Sequence, residues 1–190
     1  MSPYKKITAI LTSTLALGLA APVALAASPS YTWLEGGYVE LDGDGNRDDS
    51  GLRIAGSAPI ANRLAIIGEL ADTGDYQQLS AGVLFHTPLS RVVDLNLGAT
   101  FESIEVGNAD DTGIGLRAGV HWTVAGLPLQ LIPEVRHLDV FDETSTSLRF
   151  GGLFGVTPRL AVQAALQSGD DDRFEVGVRY SFAETFRMLP

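Results

Sequence analysis

The sequence has no cysteine, and beyond Lys6 it has no lysine. Disulfides, thiolate metal sites and cysteine nucleophiles are therefore excluded. The formal net charge is −10 over 190 residues. This charge argues against nucleic acid as a partner, because binding a phosphate backbone needs a basic face. The length is sufficient for one domain with a sizeable core.

The first 26 residues have the pattern of a secretory signal peptide. Lys5 and Lys6 precede an uncharged stretch that ends in Ala24-Leu25-Ala26, a small-x-small cleavage site. We expect cleavage after Ala26, leaving a barrel domain over 27–182 and a short tail over 183–190. A retained membrane anchor is the alternative, but Pro22 and the small residues around it favour processing.

Beyond the signal peptide the chain lacks any apolar run of the roughly 20 residues that a membrane helix needs. It alternates apolar with polar or small residues instead, which predicts strands. Most of these segments have the length of tilted membrane-spanning strands, about 9–11 residues. We predict an all-β, antiparallel up-and-down transmembrane barrel of ten strands, or of eight if two segments are loops. The segments lie near 31–41, 50–58, 63–71, 76–86, 92–103, 113–123, 129–140, 146–156, 159–167 and 173–182.

The alternation gives each segment one apolar face and one face of glycine, serine and charges. In the last segment Phe174, Val176 and Val178 share a face, and Glu175 and Gly177 lie opposite. An apolar exterior around paired interior charges is typical of a transmembrane barrel. A soluble periplasmic barrel that binds a ligand is the rival, with the apolar face inside. The predicted charge network in the lumen comprises Glu35, Arg53, Glu69, Asp94, Glu102, Arg117, Glu134, Arg136, Arg149, Glu175 and Arg179.

The connections between segments alternate strictly between two kinds. Proline-containing turns at 59–62, 87–91, 125–128 and 157–158 contain no acid, whereas the loops at 42–49, 72–75, 105–111, 139–143 and 168–172 hold 15 of the 23 acids. Alternate connections of a meander lie at the same end. The sequence therefore predicts a barrel with one acidic end, facing outward, and one short-turn end facing the periplasm together with both termini.

The first acidic loop has the spacing of an oxygen-ligand cation site. Asp42, Asp44, Asn46 and Asp49 give the order D-x-D-x-N-x-x-D, but an EF-hand also needs glycine and an acid where Arg47 and Arg53 stand. Asp, Asn and Gly are equally the residues of tight turns. We predict no cofactor beyond weak binding of calcium or magnesium, shared among the acidic loops, which could bridge to lipopolysaccharide phosphates.

The end of the last segment resembles the outer-membrane β-signal of Gram-negative barrels. In "EVGVRYSF" the residues Glu175, Gly177, Tyr180 and Phe182 occupy its polar, glycine, hydrophobic and aromatic places. The resemblance implies recognition by the barrel-assembly machinery and a location in the outer membrane. Such chains usually end at the aromatic residue, whereas this one continues through "AETFRMLP", as a disordered tail or a periplasmic cap.

The stretch "YTWLEGGYVELD", residues 31–42, together with the whole layout resembles a narrower group. That group is the small outer-membrane barrels of xanthomonads and related proteobacteria, once proposed to activate a rice immune receptor. The group has no established catalytic residues, so the resemblance implies a fold and a location and no chemistry.

Catalysis is disfavoured by the spacing of the histidines. His137 and Asp139 lie near an acidic loop and could activate water, but their H-x-D order is the reverse of the D-x-H expected of outer-membrane proteases. Neither His86 nor His121 has the H-x-S spacing of lipid-A deacylases. We therefore predict a non-enzymatic outer-membrane protein that supports envelope integrity or surface interaction, with a narrow pore for small solutes or ions as the alternative.

The aromatic residues cluster toward the segment ends, which predicts a girdle at the two membrane interfaces. They are Trp33, Tyr38, Tyr76, Phe85, Phe101, Trp122, Phe154, Tyr180 and Phe182.

Overall fold

The chain forms a closed barrel of ten antiparallel strands, each paired with the next along the sequence, and the first pairs with the last. This computed structural model describes residues 29–43, 47–141, 143–170, 172–183 and 185–186. The predicted signal peptide at 1–26 lies outside the described residues. The all-β prediction of ten strands is confirmed, and the eight-strand alternative is wrong. No helix of the described residues is long and apolar enough to cross a membrane.

The strands are 9 to 15 residues long. They are β1 (Trp33–Gly43), β2 (Arg47–Ala61), β3 (Leu64–Asp72), β4 (Tyr76–Pro88), β5 (Val93–Val106), β6 (Ala109–Thr123), β7 (Leu129–Val140), β8 (Glu143–Gly155), β9 (Leu160–Gly169) and β10 (Asp172–Ser181).

Several strands continue into stretches that the composition predicted as loops. Asp49 pairs with Leu41 in the β1–β2 ladder, inside the stretch predicted as the first acidic loop. Between β5 and β6 only two residues remain as a turn, and Gly107 there has φ 63°. A backbone in this left-handed region reverses the chain tightly and suits glycine. Asp, Asn and Gly occur both in turns and in the strand ends beside them. The loops predicted from composition are therefore longer than the observed turns, and the predicted strands are too short.

The two kinds of connection lie at opposite ends of the barrel. The β2–β3, β4–β5, β6–β7 and β8–β9 turns share one end with the start of β1 and the end of β10, which we name the turn end. The other five connections lie at what we name the acidic end. The topology thus places the proline-containing turns and the acidic connections at opposite ends, as the sequence predicted.

The exterior of the barrel is apolar and the interior is polar. Leu52 is 71% exposed and Ile114 60%, whereas Glu35 and Glu102 are each 1% exposed. Because successive strand residues point to opposite faces, this separation runs along every strand. It is the reverse of a soluble barrel, whose exterior must be wetted by water.

Glycines allow β1 and β10 to close the barrel at close quarters. Gly37 and Gly177 are directly paired across this seam. A Cβ atom on Gly37 would lie 2.2 Å from the carbonyl oxygen of Val176, and one on Gly177 would lie 2.5 Å from that of Gly36. These positions leave no space for a side chain, so the seam requires glycine on both strands.

Candidate functional site

A layer of ion pairs fills the middle of the lumen. Arg53 on β2 donates hydrogen bonds to Glu35 on β1 and, at 2.8 Å, to Glu69 Oε2 on β3. Arg179 on β10 donates through Nε to Glu35 Oε2 at 2.7 Å. Buried charges persist when they are paired and hydrogen-bonded. These bonds tie four consecutive strands, β10, β1, β2 and β3, from the inside.

Other pairs of the same layer join strands that are not neighbours. Arg173 on β10 donates to Glu69 Oε1 on β3 at 2.7 Å and to Gln78 Oε1 on β4 at 3.2 Å. Arg149 on β8 donates to Glu175 Oε2 on β10 at 2.7 Å. These side chains reach over intervening strands, so they occupy the lumen rather than lining its wall.

The structure places the eleven charged residues of the predicted lumen network inside the barrel, but in three different situations. Six of them join the connected layer, and Glu134 pairs separately with Arg136 at 2.6 Å. The other three, Asp94, Glu102 and Arg117, make no ion pair with any described residue. The six members of the layer are Glu35, Arg53, Glu69, Arg149, Glu175 and Arg179.

The predicted lumen network omitted Arg173, although this residue contacts Glu69, Glu175 and Gln78 in the layer. Arg173 lies two residues before Glu175 and therefore shares its inward face. The same alternation also marks the buried amides Gln78, Gln130 and Gln163. Counting inward positions along each strand, rather than charges alone, finds all of them.

Tyr31, just before β1, enters the lumen at the turn end. Its ring stacks on His86 with the centroids 3.6 Å apart, and its hydroxyl lies 2.7 Å from Asn96 Oδ1 and 3.1 Å from Asp94 Oδ2. Burial, together with the charge of Asp94, raises the pKa of Tyr31 well above its ordinary value of 10.0. The hydroxyl therefore remains a hydrogen-bond donor, and the described segment just before β1 is fixed inside the barrel.

Phe186, after β10, enters the same end from the other terminus. It is 4% exposed and packs with Ile132, Leu153 and Ala161. The backbone N–H groups of Thr185 and Phe186 both donate to the carbonyl of Pro158, at 2.8 and 3.2 Å. Of the two predicted forms of the tail, the described residues 185–186 take that of a cap on the turn end.

The acidic end opens into a polar cavity that we name the vestibule, with a volume of about 530 Å³. A second cavity of about 70 Å³ lies between the ion-pair layer and Tyr31. The two cavities share Thr100, Arg117 and Arg136 as lining residues. Water therefore has room at the acidic end and little room deeper in the lumen.

The predicted cation site is only partly within the described residues. Asp42 and Asp49 line the vestibule, whereas Asp44 and Asn46 lie outside the described residues. Over the described ranges, no cluster of three or more histidine or acidic side chains could hold a metal ion. Calcium binding by this loop stays a prediction.

The four residues of the predicted β-signal divide between the two faces of β10 and the segment after it. Glu175 and Gly177 face the lumen, whereas Tyr180 and Phe182 are exposed and stack edge to face with centroids 5.2 Å apart. Recognition of this strand by an assembly machinery stays a prediction. Glu175 and Gly177 each have a structural role as well, in the ion-pair layer and at the seam.

The histidines are not arranged for catalysis with one another. His137 lies on the outward face of β7, and its Nδ1 is 2.8 Å from Thr146 Oγ1. The Nδ1 atoms of His86 and His121 are buried in the lumen without a hydrogen-bond partner. Asp139, the predicted partner of His137 in activating water, lies two residues further on the same outward face of β7. A catalytic role for this pair stays untested.

Seven of the nine aromatic residues predicted to form a girdle are exposed on the outside of the barrel, and the prediction is wrong for the other two. A position at the membrane interfaces stays a prediction. Trp33 lines the deeper cavity beneath Arg179, whose Cζ lies 4.0 Å from the ring centroid. Tyr76 lines the vestibule. Both lie at inward positions of their strands, because nearness to a strand end does not decide which face a side chain occupies.

Two solved structures of one porin share the fold. The KdgM porin matches with a TM-score of 0.53 and 12% identity, over 79% of this chain and 99% of that one. The KdgM porin in complex with disordered oligogalacturonate matches with a TM-score of 0.51, also at 12% identity, with the same coverage. No family model matches this chain, and no curated protein matches it. At this identity the likeness shows the barrel fold alone.

Proposed function

We propose that this protein is a non-catalytic outer-membrane β-barrel of a Gram-negative bacterium, with a lumen closed by its own side chains. It supports envelope integrity or surface interaction through its acidic end. The observation that carries the proposal is the combination of an apolar exterior with an interior bridged by Arg173–Glu69 and Arg149–Glu175.

The apolar exterior supports the membrane location. Thirty large hydrophobic side chains of the described residues are exposed, on all ten strands and their turns. Monomeric soluble proteins rarely expose contiguous apolar patches above a few hundred Å². Pairing of β1 with β10 satisfies the backbone N–H and C=O groups at the strand edges, which hydrocarbon cannot hydrogen-bond. Lipid is therefore the surrounding that this surface fits.

Topology supports the orientation. The start of β1 and the end of β10 lie at the turn end, which is the periplasmic side when a barrel begins and ends there with short turns. The acidic end then faces outward. Asp49, Asp170 and Asp172 at its mouth would attract divalent cations, which in turn bind lipopolysaccharide phosphates. The barrel-assembly machinery would recognise the β-signal in β10.

A narrow pore for small solutes is the second candidate, and the vestibule favours it. The vestibule occupies the lumen at the acidic end, and it adjoins the smaller cavity at Arg117 and Arg136. Conduction would require the Arg173–Glu69 bridge and Tyr31 to move. A polyanion such as the oligogalacturonate of the KdgM complex fits poorly, because Asp49 and Asp170 would repel it at the mouth.

Planar-bilayer recordings separate the two functions. We expect wild-type protein to give no discrete current steps, because ion pairs and terminal residues fill the lumen. The double variant Glu69→Gln, Arg173→Gln removes one negative and one positive charge, so the net charge of the lumen does not change. It should show discrete current steps if the ion-pair layer is the barrier to ions. Regular steps from the wild type would instead establish the pore. The exposed change Arg159→Gln controls for handling of the protein.

A further inference from the structure

Two interior charges of opposite sign lack an ion-pair partner and face the same cavity. Neither Glu102 on β5 nor Arg117 on β6 has an oppositely charged side chain within 4.0 Å among the described residues, whereas seven other interior charges share the connected layer. Both line the vestibule. Because buried charges are normally paired or hydrogen-bonded, each of these two groups is suited to contact an oppositely charged part of a ligand, and the pair points to a ligand that carries both charges.

Glu102 is held in a fixed position by neutral donors. It accepts hydrogen bonds from Gln78 Nε2 at 3.0 Å and from the hydroxyls of Ser80 and Thr100. These donors orient the carboxylate, but they supply no opposite charge. A cationic group that enters the vestibule would complete the site.

Arg117 lies beside a second guanidinium group. It is directly opposite Arg136 in the β6–β7 ladder. The carboxylate of Glu134 forms its ion pair with Arg136 and not with Arg117. The aliphatic stem of Arg117 packs over Gly98, where a Cβ would come 2.6 Å from Arg117 Cγ. The absence of a side chain at Gly98 therefore makes room for Arg117. An anionic group would complete this half of the site.

The mouth and the size of the vestibule narrow the class of ligand. Asp49, Asp170 and Asp172 line its outer part, and they favour a solute that presents a positive group. A volume of about 530 Å³ suits a small molecule. A simple anion would be repelled by the mouth and by Glu102, and a simple cation would be repelled by Arg117 and Arg136.

We propose that the vestibule binds a small amphoteric solute, such as an amino acid or a short peptide. Its carboxylate pairs with Arg117 and its ammonium group with Glu102. This inference goes beyond the envelope role, because binding at the acidic end requires no passage through the ion-pair layer.

The test uses the full mature chain, folded in detergent micelles and labelled with ¹⁵N-arginine. Diglycine, acetate and methylammonium are titrated separately while the arginine Nε–Hε signals are followed by NMR. We expect diglycine to shift the Arg117 signal saturably, with an affinity at least tenfold above that of acetate or methylammonium. Equal affinity for acetate would mean an anion site, equal affinity for methylammonium a cation site, and absence of saturation no site. Each of these results overturns the proposal.

Variants locate the ligand. Arg117→Gln and Glu102→Gln should each weaken diglycine binding at least tenfold, with the Arg136 signal as the reporter in the first. Arg159→Gln, an exposed change at the turn end, should leave the affinity unchanged. Undiminished binding by both lumen variants would refute the assignment. If either variant fails to fold, shown by loss of heat-modifiable gel mobility, the wild-type comparison of the three solutes still decides.

Discussion

Arg173 on β10 and Glu69 on β3 join at 2.7 Å across two intervening strands, β1 and β2. A pair between adjacent strands only reinforces the wall. A pair between strands this far apart must extend into the interior, so it ties the barrel together from the inside.

Removal of this contact should be costly. Arg173→Gln should lower the free energy of unfolding by about 3 kcal/mol, because breaking a buried pair leaves a carboxylate incompletely compensated. Urea unfolding in lipid vesicles, followed by fluorescence of Trp33 and Trp122, measures the change. The exposed Arg159→Gln should remain within about 0.5 kcal/mol of wild type. An equally small effect for Arg173→Gln would show that the pair contributes little.

Tyr31 should make the stability depend on pH above 10. Its pKa is higher in the folded than in the unfolded chain, so its contribution is fully present below pH 10 and is lost as the pH rises toward the folded pKa. The loss is about 1.4 kcal/mol for each pH unit above the unfolded pKa. Tyr31→Phe keeps the ring and should lack this component. The free energy of unfolding of both proteins is measured from pH 9 to 11.5. The same dependence on pH in both would contradict the burial of the hydroxyl.

Phe186 should act as a buried anchor although it lies beyond the last strand. Phe186→Ala should cost about 3 kcal/mol, as expected when a large side chain leaves a packed cluster. Phe182→Ala, at an outward position that is 57% exposed, is the matched control and should cost clearly less. Chemical unfolding in vesicles compares them. Equal losses would mean that the tail does not cap the barrel.

Gly177 should be required for closure of the barrel itself. Gly177→Ala places a Cβ 2.5 Å from the backbone of Gly36, whereas the control Gly152→Ala places one no closer than 3.9 Å to its neighbours. Refolding into vesicles without any assembly machinery should fail for the first and succeed for the second. Normal refolding of Gly177→Ala would assign this glycine to recognition alone.

The fold could be predicted from the sequence because a closed barrel with an apolar outside and a polar inside imposes one period on every strand. In β5, Leu97 and Phe101 face outward while Asn96 and Thr100 are buried, as the alternation predicts. Strand limits were less accurate. The β1–β2 ladder includes Asp48 and Asp49, and a carboxylate in sequence does not distinguish a strand end from a turn.

The interior contacts were less predictable because they join residues far apart in the chain. Alternation placed Arg117 and Glu102 inside, but it could not show that Arg117 faces Arg136 or that Glu102 meets only neutral donors. Tyr31 begins the predicted segment 31–41, but the alternation could not show that its ring stacks on His86. Phe186 carries no strand signal. Barrel closure brings the segments on which these two residues lie, before β1 and after β10, to one end.

Cell fractionation tests the central claim most directly. After expression in a Gram-negative host, the outer membrane, inner membrane and soluble periplasm are separated, and each fraction is run on gels with and without boiling. We predict recovery in the outer membrane, with a folded band whose mobility changes on heating. Recovery in the soluble periplasmic fraction, without such a shift, would contradict the account.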